Sequence, residues 1–246
     1  MTVFPVSSPL QKESKTKHKL HQSYTIEEGV WCISFTDLSM QQELEVLRWR
    51  NHPDIRRHMY HKESISEIEH QSFLRKLPEQ EKKFYWVLQE GNTSLGVIDI
   101  VNYQGTASEW GFYLNPDLFG QGKAISLLYH ALNFFFRTLQ FKQLYGFCHY
   151  KNVRALLFHD LFYIYHRGYQ KISAGTSHDW YSHRVIDAST WLQQECSIAK
   201  IQKRLENQKV TSAAVKASLK QQIRHIERYD TEPPTSTFLD WAHFNL

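Results

Sequence analysis

One segment of this 246-residue chain restricts its fold more than any other. Glu109-Trp110-Gly111-Phe112-Tyr113-Leu114-Asn115-Pro116 reads as a strand and Phe119-Gly120-Gln121-Gly122-Lys123-Ala124 as a glycine-bearing loop. That loop opens a helix that the apolar spacing carries from Ile125 to Thr138. A strand feeding a helix through such a loop makes successive backbone N–H groups converge where the helix dipole is positive, which is an anion site suited to phosphate. Neither common phosphate loop fits, because the Gly-Lys-Ser/Thr ending and the three spaced glycines of a dinucleotide loop are both missing.

The flanking patterns place this segment in a larger unit. Val30 to Phe35 reads as a strand and Gln41 to Asn51 as a helix with Leu44, Val46 and Leu47 on its apolar face; His52-Pro53 stops it, because proline disfavours helical geometry in the residue before it. Ser66-Glu67-Ile68-Glu69 is a capping box opening a second helix, with Ile68, Phe73, Leu74 and Leu77 as its buried side and Pro78 at its end. Phe84 to Gln89 is a nearly continuous apolar strand, and Gly91-Asn92 turns it into a hairpin with Ser94 to Val101. With Ala107 to Leu114 these form an antiparallel meander. A helix over 122–138, a strand over 142–149, a helix over 152–162 and strands near 164–171 and 182–191 complete a mixed, mostly antiparallel sheet with helices on both faces, of α/β (α+β) class.

Residues 1–23 are polar and lysine-rich without periodicity and are expected to be a disordered basic tail, followed by one domain over 24–195. Residues 196–246 are expected to be a helical extension: Ile198, Ile201, Leu205, Val215, Leu219, Ile223 and Ile226 recur at helical spacing over 197–229, Pro233-Pro234 ends the run, and Phe238, Trp241 and Phe244 are candidate anchors. The net charge of +4 belongs to the two ends, the middle being slightly acidic, so it reads as solvated tails rather than a nucleic-acid surface. No apolar run reaches eighteen residues and no signal-peptide pattern opens the chain, which points to a cytoplasmic protein without a membrane partner. Cys32, Cys148 and Cys196 are scattered and odd in number, as reduced thiols would be. His58-x-x-His61 has no third ligand at a recognisable spacing, so no metal is expected.

The glycine loop resembles the pyrophosphate-binding loop of the GNAT superfamily of N-acetyltransferases, with Phe119 where that pattern usually has Arg or Gln, and Gly122 and Ala124 at its small positions. About thirty residues on, Asn152 and Phe158-His159 resemble the superfamily's Asn-opened helix ending in Phe-Tyr, His159 taking the Tyr position. The resemblance implies acetyl-CoA as acetyl donor, with Phe112, Leu114, Phe119, Gly120, Gln121, Gly122, Lys123, Ala124, Asn152 and Phe158 holding it. Arg48-Trp49-Arg50-Asn51-His52-Pro53, Met59-Tyr60, Ile65-Ser66, His70 and Phe73 resemble, over about residues 30–190, the acetyltransferases of pseudaminic acid biosynthesis. That narrower resemblance implies acetylation of the 4-amino group of a UDP-linked 4-amino-4,6-dideoxy sugar on the way to flagellin glycosylation. It also implies that Arg50, Met59, Tyr60, His70 and Phe73 line a nucleotide-sugar pocket, and a homodimer is one expected assembly. On the strand after Gly96, where those relatives carry small hydroxyl or basic side chains, this chain has Asp99, Val101 and Asn102.

Acetyl transfer to an amine needs a neutral nucleophile and a proton for the departing thiolate. His159, if charged, is the expected acid, and Glu109, directly or through a water, the expected base. Backbone N–H groups near Phe112 and Leu114 would hold the thioester carbonyl. The competing readings are a GNAT acting on another amine, such as a different amino sugar or a protein N-terminus, and an acyl-CoA-binding module without turnover.

Overall fold

The computed structural model describes residues 20–174, 177–194 and 197–233. Eight strands form one sheet: β1 (Tyr24–Glu27), β2 (Val30–Ser34), β3 (Phe84–Glu90), β4 (Thr93–Val101), β5 (Ala107–Leu114), β6 (Gln143–His149), β7 (Tyr165–Ala174) and β8 (Ser177–Asp187). Their order across the sheet is β1-β2-β3-β4-β5-β6-β8-β7, and every neighbouring pair is antiparallel except β5 and β6. The helices are α1 (Met40–Asn51), the single turn α2 (Pro53–Arg56), α3 (Glu67–Lys76), α4 (Lys123–Asn133), α5 (Val153–Leu161), α6 (Ala188–Gln193) and α7 (Ile198–Tyr229). A π turn over Phe134–Thr138 continues α4.

The apolar run of β3 is explained by helices covering both faces. Phe84, Trp86 and Leu88 point into one core with Leu127, Leu128, Ala131 and Leu132 of α4 and with Phe134 and Phe135. Val87 points the other way and packs with Val97, Val46 and Trp49 of α1 and Leu74 and Leu77 at the end of α3. Period-two alternation thus divides one strand between two apolar layers. Capping boxes open α1 at Ser39 with Gln42 and α3 at Ser66 with Glu69, the second as its sequence signature requires.

Several expectations are corrected. The basic tail does not run to residue 23: Leu20 is 4% exposed in the main core, and Trp86 Nε1 donates to the Gln22 carbonyl at 3.0 Å. A short strand, β1, then pairs with β2; Tyr24 and Ile26 alternate with Thr25 and Glu27, a pattern of four residues that the sequence reading passed over. Leu44 and Ile68 are 45% and 81% exposed, so neither belongs to a buried helix face; Trp49 and His70 take those places. The last strand ends at Asp187, and Ala188–Gln193 is helical because Trp191 is drawn under α4, its Nε1 donating to Asn133 Oδ1 at 3.0 Å. The long C-terminal helix packs on this same chain. Ile201, Leu219 and Ile226 of α7 are buried, Tyr169 donates to Gln222 Oε1 at 2.6 Å, and Lys151 pairs with Glu227 at 2.8 Å. Cys196, Pro234, Phe238, Trp241 and Phe244 lie outside the described residues.

The contrast between Leu20 and Ile68 is a stability measurement. Leu20→Ala is expected to lower unfolding free energy in urea by about 2–4 kcal/mol through lost burial and a residual cavity. Ile68→Ala should stay within about 0.5 kcal/mol, and an equal loss in the two variants would contradict the burial described.

Candidate functional site

The site begins where two strands part. β5 and β6 pair only through Ala107–Gln143, Ser108–Leu144 and Glu109–Tyr145; beyond Glu109 the ladder stops and the strands diverge. Gly146 stands at the fork, where a Cβ would lie 2.8 Å from the Trp110 carbonyl oxygen, so a larger residue would push the strands apart one residue earlier. Asn115 N–H donates to Leu95 on the β4 side while the Trp110 carbonyl faces Gly146; by strand alternation the backbone groups of Phe112 and Leu114 face the gap. They are the polar groups that a ligand entering the fork would meet.

A cavity of about 840 Å³ occupies this fork. At one end it meets the glycine loop, where Phe119, Gly120 and Ala124 line it, with Asn152, Ala155 and Phe158 of α5 opposite. Gly120 and Gly122 have φ of +80° and +74°, conformations that side chains resist, and Gly122 caps α4 without a side-chain hydrogen bond. The Lys123 and Ala124 amides in the first turn therefore have no intrahelical acceptor. Gln121, Gly122 and Lys123 do not line the cavity; Lys123 is instead tied to Glu90 at 2.7 Å. Asn152 caps α5 by accepting from the Ala155 amide at 3.3 Å.

The other end gathers Arg50, Met59, Tyr60, His70 and Phe73 with Tyr85, Asp99 and Glu109. Three of the five expected pocket residues also hold the fold. Met59 and Phe73 pack on the α1–α3 core, Phe73 meeting Tyr85 edge to face at 5.3 Å. His70 pins α3 to α1 through its Nε2 and the Glu43 carbonyl at 3.0 Å. Arg50 Nη2 donates to the His61 carbonyl at 2.8 Å, yet its Nη1 is buried with no partner, and burial pulls its pKa down. Glu109 is buried in the wall rather than exposed at a strand end. It accepts from Tyr60 Oη at 3.1 Å and from Asn102 Nδ2 at 2.6 Å, Asn102 adopting the left-handed conformation that asparagine tolerates.

His159 sits between the two ends. It is 8% exposed, lines the cavity, and its Nδ1 has no partner. Burial first, and the Arg184 guanidinium second, push its pKa down to about 3. The imidazole is therefore neutral near pH 7, whereas the sequence reading required it charged. Arg184 is fixed there by a buried ion pair with Asp160 at 2.7 Å and by Ser182 Oγ, 2.9 Å from its Nε.

Asn102, Arg184 and a Lys62–Asp179–His149 group were not foreseen. Asp179 Oδ2 accepts from Lys62 at 3.0 Å and from His149 Nε2 at 2.7 Å, so the cavity wall of β6 is tied to the loop before α3. Only register brings these together, since Lys62 and Asp179 are 117 residues apart. Among the described residues no group of three or more His, Cys, Asp or Glu is arranged to hold a metal, and no helix is long and apolar enough to cross a membrane.

The model of the Acetyltransferase (GNAT) domain family matches residues 39–158. Acetyltransferase PseH from Campylobacter jejuni (strain 81-176) is 34% identical over 123 residues, which are 50% of this chain and 76% of that protein. A crystal structure of the Campylobacter jejuni N-acetyltransferase PseH with acetyl coenzyme A aligns at TM-score 0.47 and 23% identity, over 64% of this chain and 98% of that one. Spermidine N-acetyltransferase from Vibrio cholerae, with CoA and spermine, aligns at TM-score 0.59 and 15% identity over 68% of this chain and 99% of that one, a likeness of fold.

The depressed histidines make stability acid-sensitive. His159 and His166 are lowered to about 3 and His58 to about 4, so between those values and an unfolded pKa of about 6.5 the unfolded chain binds more protons than the folded one. Their stability contribution is fully present above pH 6.5 and is lost as pH falls from there toward 4. His159→Phe is expected to remove about one proton from that slope, read from urea midpoints across pH 4–8. An unchanged slope would show that His159 is charged in the fold.

Proposed function

The chain belongs to the GNAT acetyltransferase family and is an acetyl-CoA-dependent N-acetyltransferase, and from that premise we propose that it acetylates the 4-amino group of a UDP-linked 4-amino-4,6-dideoxy sugar in pseudaminic acid biosynthesis, serving flagellin glycosylation. The observation that carries this reading is Arg50: a half-buried guanidinium in the cavity wall whose Nη1 is buried without a partner. A buried cationic donor without an acceptor is costly, and a diphosphate oxygen entering the cavity would satisfy it. Tyr60 and Phe73 beside it offer ring faces to a uracil, and the identity to PseH points the same way.

The residues fit the donor as well. Acetyl-CoA supplies an activated acetyl group on sulfur. In this reading the open amides at Lys123 and Ala124, with the αL glycines before them, hold its pyrophosphate, and the fork-facing amides of Phe112 and Leu114 hold pantetheine and polarise the thioester carbonyl. Phe119 costs little as a substitute for Arg or Gln, because these contacts are made by backbone; its ring is 43% exposed and meets His52 edge-on at 5.7 Å. Asn152 and Phe158 flank the same arm from α5. His159, held neutral, donates an N–H to the departing sulfur as a hydrogen-bond donor rather than as a cationic acid. Glu109 holds the acceptor ammonium. Its two oxygens are already oriented by Tyr60 and Asn102, so the charge is fixed in place before the amine arrives.

The test is thiol release from acetyl-CoA with the UDP-4-amino sugar, the same amino sugar without its nucleotide, and a peptide amine. Turnover is expected on the nucleotide sugar alone. Arg50→Met should raise its KM roughly 10- to 100-fold, the worth of one or two charge-assisted hydrogen bonds, and leave the KM for acetyl-CoA within twofold. Equal rates on the nucleotide-free sugar, or an Arg50→Met variant with unchanged KM, would end this assignment. Binding of acetyl-CoA without turnover on any amine would favour the non-catalytic module.

A further inference from the structure

We propose that Asp99 is the base of the transfer, its carboxylate taking the proton from the acceptor ammonium beside Glu109; this rests on the fork being the acetyl-transfer site.

Strand register brings the two carboxylates to one surface. On the β4–β5 ladder Asp99 lies opposite Gly111 and Val101 opposite Glu109, so all four side-chain positions face the cavity, and Tyr85 of β3 lies opposite Asp99 on its other side. Gly111 makes room for the carboxylate. A Cβ there would stand 3.0 and 3.1 Å from the two Asp99 oxygens, so glycine leaves them open to the cavity where any other residue would cover them.

The two carboxylates differ in what they hold. Both Glu109 oxygens already accept, from Tyr60 and Asn102, so both are engaged before an amine arrives. Asp99 has no side-chain donor of that kind; only the Gly111 amide favours its charge. Burial, and then the charge of Glu109, push its pKa up to about 7, where a base works best at neutral pH. The ionisable groups facing it are Glu109 and Tyr113 of β5, Tyr85 of β3 and Tyr60 of the loop before α3; all three tyrosines are pushed up and neutral. Arg50 adjoins Tyr85 and Tyr113, but among the described residues no cation pairs with either carboxylate, and an ammonium would supply one.

The proton balance follows. The ammonium gives one proton to Asp99, and the freed lone pair forms the bond to the acetyl carbon. The carbon–sulfur bond then breaks with its electron pair on sulfur, and a second proton from nitrogen ends on that sulfur. The first proton leaves Asp99 through the cavity. The net change is an amide, a thiol and one released proton.

The experiment compares wild type, Asp99→Asn and Glu109→Gln in thiol release across pH 5.5–9, with the UDP-4-amino sugar, spermidine and a peptide amine as acceptors, and with acetyl-CoA binding measured separately. Wild type is expected to lose kcat/KM below an apparent pKa near neutrality. Asp99→Asn should lower kcat about 100-fold, within the range for losing a general base, abolish that acid limb and leave acetyl-CoA binding within twofold. Glu109→Gln should raise acceptor KM and move the limb to lower pH, since the charge that raises Asp99 is gone. An Asp99→Asn variant that keeps kcat within threefold, or keeps the limb, overturns the proposal. If wild type acetylates spermidine or the peptide but not the sugar, the sugar assignment falls and the same comparison on that amine decides Asp99. Carboxyl carbon NMR of wild type with acetyl-CoA alone gives a reading free of any acceptor: an Asp99 signal titrating near neutrality supports the proposal, and one titrating in the ordinary carboxylate range overturns it.

Discussion

The separation of β5 from β6 after Glu109 is the constraint on which the rest of the site depends. A continuous parallel ladder would have satisfied the backbone groups of Trp110, Phe112 and Leu114 internally and closed the sheet. Gly146, whose missing Cβ lets the strands stay paired through Glu109, sets where the fork begins, and the turn of β5 into the Pro116–Leu118 helix and glycine loop carries its end toward α4. Unpaired strand backbone is costly unless it is solvated or bound. The fork therefore amounts to a preformed edge along a cavity lined by both the glycine loop and the two carboxylates.

Most of the frame was legible because it is written in local chemistry. The capping box at Ser66, the stop at His52-Pro53, the hairpin at Gly91-Asn92 and the glycine loop before α4 each act within a few residues, and each falls where its pattern placed it. What escaped was set by tertiary neighbours. Tyr24-Thr25-Ile26-Glu27 becomes a strand because β2 offers an edge, and Ile68 is exposed because α3 meets α1 through His70 and Leu74 instead. Helical spacing over 197–229 announced α7 but could not say which surface it would cover.

The same division holds in the site. Motif residues from Phe119 to Ala124 and from Asn152 to His159 were assigned to one ligand by resemblance; Phe119, Gly120, Ala124, Asn152, Phe158 and His159 line one cavity, and Gln121, Gly122 and Lys123 do not. Their electrostatics could not be read that way. The state of His159 depends on Arg184, which Asp160 and Ser182 fix on a different strand, and Glu109 depends on Tyr60 and Asn102, 49 and 7 residues away. Residue type suggested a cationic acid, whereas burial keeps the imidazole neutral near pH 7. A buried group's charge is set by what surrounds it, and a single sequence lists those neighbours without pairing them.

Charge in the cavity is graded along its length. The acceptor end has Glu109 and Asp99 with neutral tyrosines around them, and Arg50 beside Tyr85 and Tyr113. Toward the donor end stand Arg184, whose partner Asp160 lies behind it and does not line the cavity, and the positive terminus of α4. In the proposed reaction the deprotonated nitrogen gains positive charge as it attacks at the first end, and carbonyl oxygen and sulfur gain negative charge toward the second. A fixed field of that direction stabilises the charge-separated transition state more than the uncharged thioester and amine, and it needs no rearrangement when the reaction occurs. It also accounts for a neutral His159. A cationic imidazole beside Arg184 would have to be held against a like charge in a dry wall, whereas a neutral N–H can meet the sulfur within a field that Arg184 already supplies.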